Sequence, residues 1–215
     1  MGCDIHFYVE TLGDDGLWKS SDLWVQDDDF PHVDYKNRFY DDRNYDLFAI
    51  LANVRNGIGF AGIKTGSGFN YIEEPRGLPD DVSPEVRAAS EAWDCDGHSH
   101  SWFTVAELRA FDWNQKTQHE GFVDIDGFKH YLQTGKPNSW CGDVFGPDVE
   151  KVSIDDMMDI VKGTFNTTPQ KTYYTLVTWT EKYSDSVGQF LTETITNMEK
   201  LGPPNDVRCV FWFDN

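Results

Sequence analysis

The densest group of side chains able to do chemistry lies in the segment DCDGHSHSWF, residues 94–103, which holds two of the six histidines of the chain. His98 and His100 are two residues apart, with Ser99 between them. Neutral imidazoles near pH 7 can accept and donate protons, and a pair can divide the acid and base roles in cleaving a phosphodiester or glycosidic bond. The segment is rich in polar residues, and we expect it to form a loop that contributes to a site.

A second candidate opens the chain, in the segment MGCDIH. The residues that follow are aromatic and β-branched, which predicts a strand, and residues two apart on a strand face the same side. Asp4 and His6 should therefore project together. The predicted catalytic residues are His6, His98 and His100.

The same side chains could instead hold a divalent metal through nitrogen and oxygen ligands. The metal-ligand candidates are Asp4, His6, Asp96, His98 and His100. Asp-x-His near the start and Gly-His-x-His later resemble the opening and closing of the metallophosphoesterase pattern. The elements that should lie between them are missing, so a classical member of that class is not expected. The sequence leaves a metal-bound and a metal-free site open.

Arginines supply the candidate anion contacts. Arg43, Arg55 and Arg76 flank a predicted helix and the glycine-rich stretch 57–68. Guanidinium groups bind phosphate or carboxylate through two parallel hydrogen bonds, although these arginines could equally pair with surface acids. The glycine-rich stretch lacks the GxxxxGK[ST] pattern of a P-loop. The full set predicted to bind a ligand is Arg43, Asn44, Arg55, Arg76, Ser99, Ser101 and Trp102, with Trp102 as a stacking surface.

The net charge limits the partners. The chain has 37 acidic and 18 basic residues, for a formal net charge of −19. Such a charge disfavours direct binding to nucleic acid or to anionic membranes, but an acidic surface could imitate DNA toward a basic protein. The four cysteines form no CxxC pair, and we see no signal peptide and no apolar run long enough to span a bilayer. These features predict a cytoplasmic protein, in the host cytoplasm if a phage encodes it.

Local patterns predict an α+β fold. The N-terminal strand should form a hairpin, and a helix should begin after Asn44 and continue to Gly57. Further helices should begin at Pro84, after Thr104 in a capping box with Glu107, and after Ser153. Residues 171–215 read as strand, helix and strand. We expect one domain over residues 1–215, with a mostly antiparallel sheet, helices packed on one face, a C-terminal β-α-β unit and an irregular middle.

Four motifs occur together in one order: MGCDIH, RNYDLFAILANVRNG, PRGLPDDVS, and DGHSHSW before a TVAEL helix. This order resembles an uncharacterised family of small proteins found in bacteriophages and some bacterial genomes. The resemblance covers about the first 110 residues and implies no particular activity. It implies that the polar residues of the motifs are family features, and polar motifs from separate segments commonly meet at one site.

The first functional hypothesis is a phage-type accessory protein whose pocket takes a small anionic, nucleotide-like ligand and could hydrolyse a phosphodiester-type bond. The second is a counter-defence protein that only sequesters a host nucleotide signal. The third is an acidic, DNA-mimicking inhibitor of a host protein, which the charge and the segment DDDFPHVDY favour. A structural protein of the virion is a fourth.

Overall fold

The computed structural model describes residues 2–25 and 31–214. The acidic run at 27–29, on which the hypothesis of an acidic inhibitor partly depends, lies outside the described residues.

Strands and helices alternate irregularly along the chain. The strands are β1 (Ile5–Leu12), β2 (Trp18–Ser20), β3 (Trp24–Val25), β4 (His32–Val33), β5 (His98–Thr104), β6 (Lys116–Val123), β7 (Val149–Val152), β8 (Thr172–Lys182) and β9 (Val207–Phe213). The α-helices are α1 (Tyr45–Ala52), α2 (Pro84–Glu91), α3 (Val105–Ala110), α4 (Ile125–Thr134), α5 (Ile154–Lys162), α6 (Tyr183–Ser186) and α7 (Thr194–Met198). The predicted α+β class is confirmed.

The contacts divide the chain into two compact units, whereas the sequence predicted one domain. The first unit contains residues 1–56, 70–114 and 184–215. The second contains residues 57–69 and 115–183. It includes most of the middle region that was expected to be irregular.

The first unit is built on a four-stranded antiparallel sheet in the order β2-β1-β9-β5. The predicted N-terminal hairpin is present as the β1–β2 pair. Every residue of β9 is buried, which suits a central strand covered on both faces.

Helices cover both faces of this sheet, so the expectation of helices on one face does not hold for the first unit. Phe213 of β9 packs against Phe48 of α1, with ring centroids 4.9 Å apart. The preceding residue, Trp212, points to the opposite face of the sheet, where it belongs to a core cluster that includes Val86 of α2. An alternating apolar strand signals one buried face, but the continuous run CVFWF signals two.

The second unit has its own sheet, in the order β6-β8-β7, with β6–β8 antiparallel and β7–β8 parallel. Its core contains Phe128 of α4, Met157 of α5 and Trp179 of β8. The predicted C-terminal β-α-β unit is therefore wrong as a unit, because β8 and β9 belong to different sheets. Alternation along a strand reveals its faces but not its partner strand.

Several helix ends follow the local signals. The Asn44 side chain accepts a hydrogen bond from the Leu47 amide at 3.0 Å, and Thr104 and Glu107 form the full capping box. The helix α1 ends earlier than predicted, because Asn53 adopts a left-handed conformation with φ of 58°. The long helix predicted near 187–202 is broken into a 3-10 turn and the short α7.

No helix in the part of the chain that the structure describes is long and apolar enough to cross a membrane.

Candidate functional site

The segment that carries the histidine pair is a strand and not the expected loop. After a 3-10 turn at Asp94–Asp96, β5 begins at His98 and pairs with β9. Between His98 and Ser101 the register shifts, and Ser99 has a positive φ of 52°. A shift of this kind is a β-bulge, in which two residues of one strand face a single residue of its neighbour. Polar side chains in a strand give no apolar alternation, and the sequence therefore did not reveal it.

The bulge sends the two histidines to different faces. The ring of His98 stacks on Phe213 with centroids 6.1 Å apart, and the ring of His100 stacks on Trp212 at 5.5 Å. Phe213 and Trp212 are consecutive in a strand and so point to opposite sides of the sheet. The predicted acid–base pair of His98 and His100 is therefore not assembled.

His6 and His100 instead share one face. His6 lies opposite Trp212 in the β1–β9 register, and its ring stacks on Trp212 with centroids 5.6 Å apart. Trp212 thus has an imidazole from each neighbouring strand beside it. The arrangement places two of the three predicted catalytic histidines beside the same ring, on one face of the sheet.

His6 is held by a carboxylate and by a second ring. Its Nε2 lies 3.2 Å from Oδ2 of Asp214, and the Trp93 ring lies 4.1 Å from the His6 ring. Only 13% of the His6 side chain is exposed. Burial lowers the pKa of His6, although the hydrogen bond that His6 donates to Asp214 opposes that shift, so His6 is neutral at pH 7. A neutral imidazole oriented by a carboxylate can accept a proton.

His100 is oriented by a hydroxyl. Its Nε2 lies 2.9 Å from Oγ of Ser90, on α2. Burial is the main cause that lowers the pKa of His100, and the neighbouring His98 and His6 lower it further. Both imidazoles beside Trp212 are therefore uncharged at neutral pH and can act as hydrogen-bond donors or acceptors.

A small open pocket adjoins His6. It is a shallow depression open to solvent, lined by Ile5, His6, Phe7, Tyr8 and Arg38. Pockets that enclose drug-sized ligands occupy roughly 300–1,000 Å³, so this depression does not enclose a nucleotide, and an anionic group would contact it from its open side.

Arg38 gives this pocket its positive charge. Its Nε donates to the Val33 carbonyl oxygen at 3.4 Å, and its charge contributes to the lowered pKa of His6. Within residues 2–25 and 31–214, no carboxylate oxygen forms a salt bridge with Arg38. Its guanidinium also lies over the Tyr35 ring at 5.6 Å. It is a better candidate for an incoming anion than the three arginines predicted from sequence because it lines this pocket and they do not.

Those three arginines are engaged within the protein. Arg43 forms a two-pronged pair with Asp4, at 2.7 and 2.6 Å. Arg55 lies over the Tyr45 ring at 5.2 Å. Burial raises the pKa of the Cys3 thiol, and a hydrogen bond with Arg55 opposes that rise.

Arg76 is held by Glu73 and by Glu107, and it also donates to the Trp102 carbonyl oxygen. The predicted three-arginine phosphate site is not assembled, because each guanidinium already has a partner inside the protein.

The other predicted ligand contacts are also occupied. The guanidinium groups of Arg76 and Arg208 lie 4.9 and 5.5 Å from the Trp102 ring centroid. Ser101 is fully buried and accepts from the Arg76 amide, and Ser99 Oγ lies 3.1 Å from His98 Nδ1. Asn44 caps α1 and donates to the Ser186 carbonyl oxygen. These polar residues position the fold around the site and do not line the pocket.

The five predicted metal ligands are not brought together. Among the described residues, no group of three or more His, Cys, Asp or Glu side chains could hold a metal ion. Asp4 is taken by Arg43, Asp96 lies in an exposed 3-10 turn, and His98 faces away from His6 and His100.

Sequence reasoning missed the residues that complete the site, namely Arg38, Ser90, Trp93, Trp212 and Asp214. Asp214 directly follows the last strand, and the antiparallel β1–β9 pair brings it to His6 across 208 residues. The position of Asp214 at a strand end was visible in the sequence, but the identity of the partner strand was not.

Comparisons of this chain with protein-family models, with curated proteins and with solved structures return no match.

Proposed function

We propose that the first unit binds a small anionic, nucleotide-like ligand, with a phosphate-sized group in the pocket beside Arg38 and His6. The observation that carries the proposal is this pocket, where a cation without a carboxylate partner in the described residues adjoins a buried imidazole. Phosphate groups are recognised by such guanidinium and imidazole donors.

The rings around His6 support a ligand with a planar part. Trp212 lies against His6 with ring centroids 5.6 Å apart, and Tyr8 stacks on Trp212 with centroids 5.2 Å apart. Nucleobases stack on aromatic faces of this kind. Because the pocket is a shallow depression, the anionic group would contact it from its open side, and the base would lie outside it beside His6.

Hydrolysis of a phosphodiester is the catalytic form of the proposal. His6 is kept neutral by burial and oriented by Asp214, which suits a proton acceptor, and His100 lies on the other side of Trp212. In cleavage by water, His6 would take the proton of the attacking water and then, as the imidazolium, return that proton to the leaving oxygen, while neutral His100 would donate a hydrogen bond to a phosphoryl oxygen. Binding without cleavage would make the protein a sequestering, counter-defence factor in the host cytoplasm, in keeping with the phage-family resemblance.

Calorimetric titration of the full chain with adenosine 5′-monophosphate (AMP), inorganic phosphate and adenosine tests the binding. We expect AMP to bind more tightly than either fragment, and Arg38→Ala to weaken AMP binding at least roughly 10-fold, since a charged hydrogen bond contributes about 1.5–3 kcal/mol. Arg109→Ala is the matched control, because it removes the same charge from an exposed pair with Glu199. Equal affinities for AMP and adenosine, or an unaffected Arg38→Ala variant, would contradict the proposal.

Incubation with 3′,5′-cyclic AMP, followed by chromatography, distinguishes the catalytic form of the proposal from binding without cleavage. Cleavage that is lost in His6→Gln and in His100→Gln identifies a hydrolase. Recovery of intact ligand from a protein that binds it identifies a sequestering protein. If none of these compounds binds, the hypothesis of an acidic inhibitor of a host protein is favoured.

A further inference from the structure

The segment between α2 and β5, residues 92–97, lies over His6 and contacts it through one side chain. We call this segment the strap. Trp93 is half-buried with its ring 4.1 Å from the His6 ring, whereas Ala92, Asp94 and the two residues after Asp94 are exposed. The strap is thus held against the sheet mainly by one indole ring.

The backbone of the strap is bent tightly onto the sheet. Asp94 adopts a left-handed conformation, with φ of 44°, which costs energy for a residue other than glycine. The Asp96 amide closes the turn by donating to the Trp93 carbonyl oxygen at 2.9 Å. A Cβ atom on Gly97 would lie 3.4 Å from Cε1 of His100 and 3.4 Å from Cδ1 of Trp212, so the strap and the sheet are in contact there.

The closed strap leaves a buried donor beneath it without a partner. Nε1 of Trp212 is buried and has no hydrogen-bond partner among the described residues. Cδ1 of Trp212, the atom bonded to Nε1, faces Gly97, where an added Cβ would lie 3.4 Å away. A buried donor left unpaired costs about 1–3 kcal/mol, which favours states in which water or a ligand reaches it.

We infer that the strap is a displaceable cover, and that Trp93 occupies the place on His6 where a planar group of the ligand stacks. This inference rests on the proposed function and adds its regulation. The site is closed when Trp93 stacks on His6 and becomes competent when the strap lifts, exposing the edge of Trp212. A ligand with a planar ring must displace Trp93 from His6 in order to bind. Inorganic phosphate has no ring and binds without displacing Trp93.

Two variants open the strap by different routes. Trp93→Ala removes the ring, and Asp94→Pro keeps it but excludes the positive φ that the closed turn requires. Because the ligand no longer has to displace Trp93, AMP affinity should rise about 3- to 10-fold in both variants, and inorganic phosphate affinity should stay within about 2-fold. Trp140→Ala, which removes a partly exposed indole from the second unit, is the control.

A ligand-free measurement tests the cover by itself. Lifting the strap hydrates His6, so NMR titration should show the pKa of His6 rising in both variants toward its ordinary value of 6.5. An unchanged His6 titration in Trp93→Ala and in Asp94→Pro would overturn the inference, and so would AMP binding that weakens in both. If the wild-type protein binds no AMP, the proposed function fails, and the His6 titration alone decides whether the strap is a cover.

Discussion

Glu10 and Arg208 face each other across the pair formed by β1 and β9, with Oε2 of Glu10 2.8 Å from Nε of Arg208. Both side chains are almost completely buried. The same group fastens the PRGLPDDVS motif to the sheet, because Arg208 also pairs with Asp81 at 2.8 Å and Glu10 accepts from the Ser83 amide at 2.7 Å. The polar residues of that motif therefore have a structural role.

Breaking this buried pair should destabilise the first unit strongly. Arg208→Met leaves the buried Glu10 carboxylate without a cationic partner, and Glu10→Gln leaves the buried Arg208 with only the exposed Asp81. We expect each to lower the free energy of unfolding by about 3–5 kcal/mol. The double variant should lose less than the sum of the two single losses, as measured by urea denaturation in a double-mutant cycle. Arg109→Ala, in an exposed ion pair, should change the free energy of unfolding by less than about 1 kcal/mol. Additive losses from Glu10 and Arg208 would show that the two charges are not coupled.

Asp22 should make the stability of the protein fall as the pH rises. Burial raises the pKa of Asp22 to about 6, although it accepts hydrogen bonds from the Val9 amide and the Ser20 hydroxyl. The native state therefore holds a proton that the unfolded chain releases near pH 4. The stabilisation is fully present below that pH and is lost as the pH passes through 6.

The variant Asp22→Asn removes this proton linkage and keeps an oxygen that can accept from the Val9 amide. A shift of about two pKa units corresponds to roughly 3 kcal/mol. Between pH 4 and pH 7.5 the wild type should lose about 3 kcal/mol of unfolding free energy that Asp22→Asn does not lose. Urea denaturation of both proteins at several pH values measures this difference. A difference that is constant with pH would mean that Asp22 is ionised in the native protein over this whole range.

Asp214 should control the titration of His6. Burial lowers the pKa of His6, and the Asp214 carboxylate partly offsets this by raising it. Asp214→Asn should therefore lower the pKa of His6 further, as followed by the NMR signal of its ring. Asp185→Asn, an exposed acidic residue elsewhere in the first unit, should leave that titration unchanged. An unaltered His6 pKa in Asp214→Asn would show that the 3.2 Å contact is not formed in solution.

The contact between His6 and Asp214 also shows where sequence reasoning stops. The hairpin, the Asn44 cap and the capping box at Thr104 depend on residues close in the chain, and they could be predicted. The partners of β8 and β9 depend on pairing between distant segments, which periodicity does not encode. Of the predicted site residues, His6 and His100 share the site because β1 and β5 both flank β9, and nothing in the order of the motifs reveals that.

The arginine contacts differ from the prediction for a related reason. The motifs favour Arg43 and Arg76 as ligand contacts, but in a chain with twice as many acids as bases both pair with a carboxylate of the protein. Arg38 lies in an irregular stretch without periodicity, and only the folded chain places it beside His6.

Trp102 should affect stability and not ligand binding. Its ring lies beside the guanidinium groups of Arg76 and Arg208, and it packs with the cluster around Val86. Trp102→Ala should lower the free energy of unfolding by roughly 3 kcal/mol, since it removes apolar packing together with cation–π contacts. Calorimetry on the folded variant should give an AMP affinity within about 2-fold of the wild type. A large loss of AMP affinity without loss of stability would restore Trp102 as the ligand's stacking surface.

The glycine-rich stretch should be sensitive at Gly66, where two backbone segments meet. Gly66 has a φ of 155° and forms a β-bridge with His119, and a Cβ atom added there would lie 2.3 Å from the Gln118 carbonyl oxygen. Because a backbone atom cannot move aside as a flexible side chain can, Gly66→Ala should lower the free energy of unfolding of the second unit by at least about 2 kcal/mol. Gly135→Ala tests the alternative of a general glycine effect, since Gly135 also has a positive φ but an added Cβ there meets nothing within 4 Å. Urea denaturation that shows equal losses in the two variants would mean that the loss at Gly66 reflects its φ and not its contact with β6.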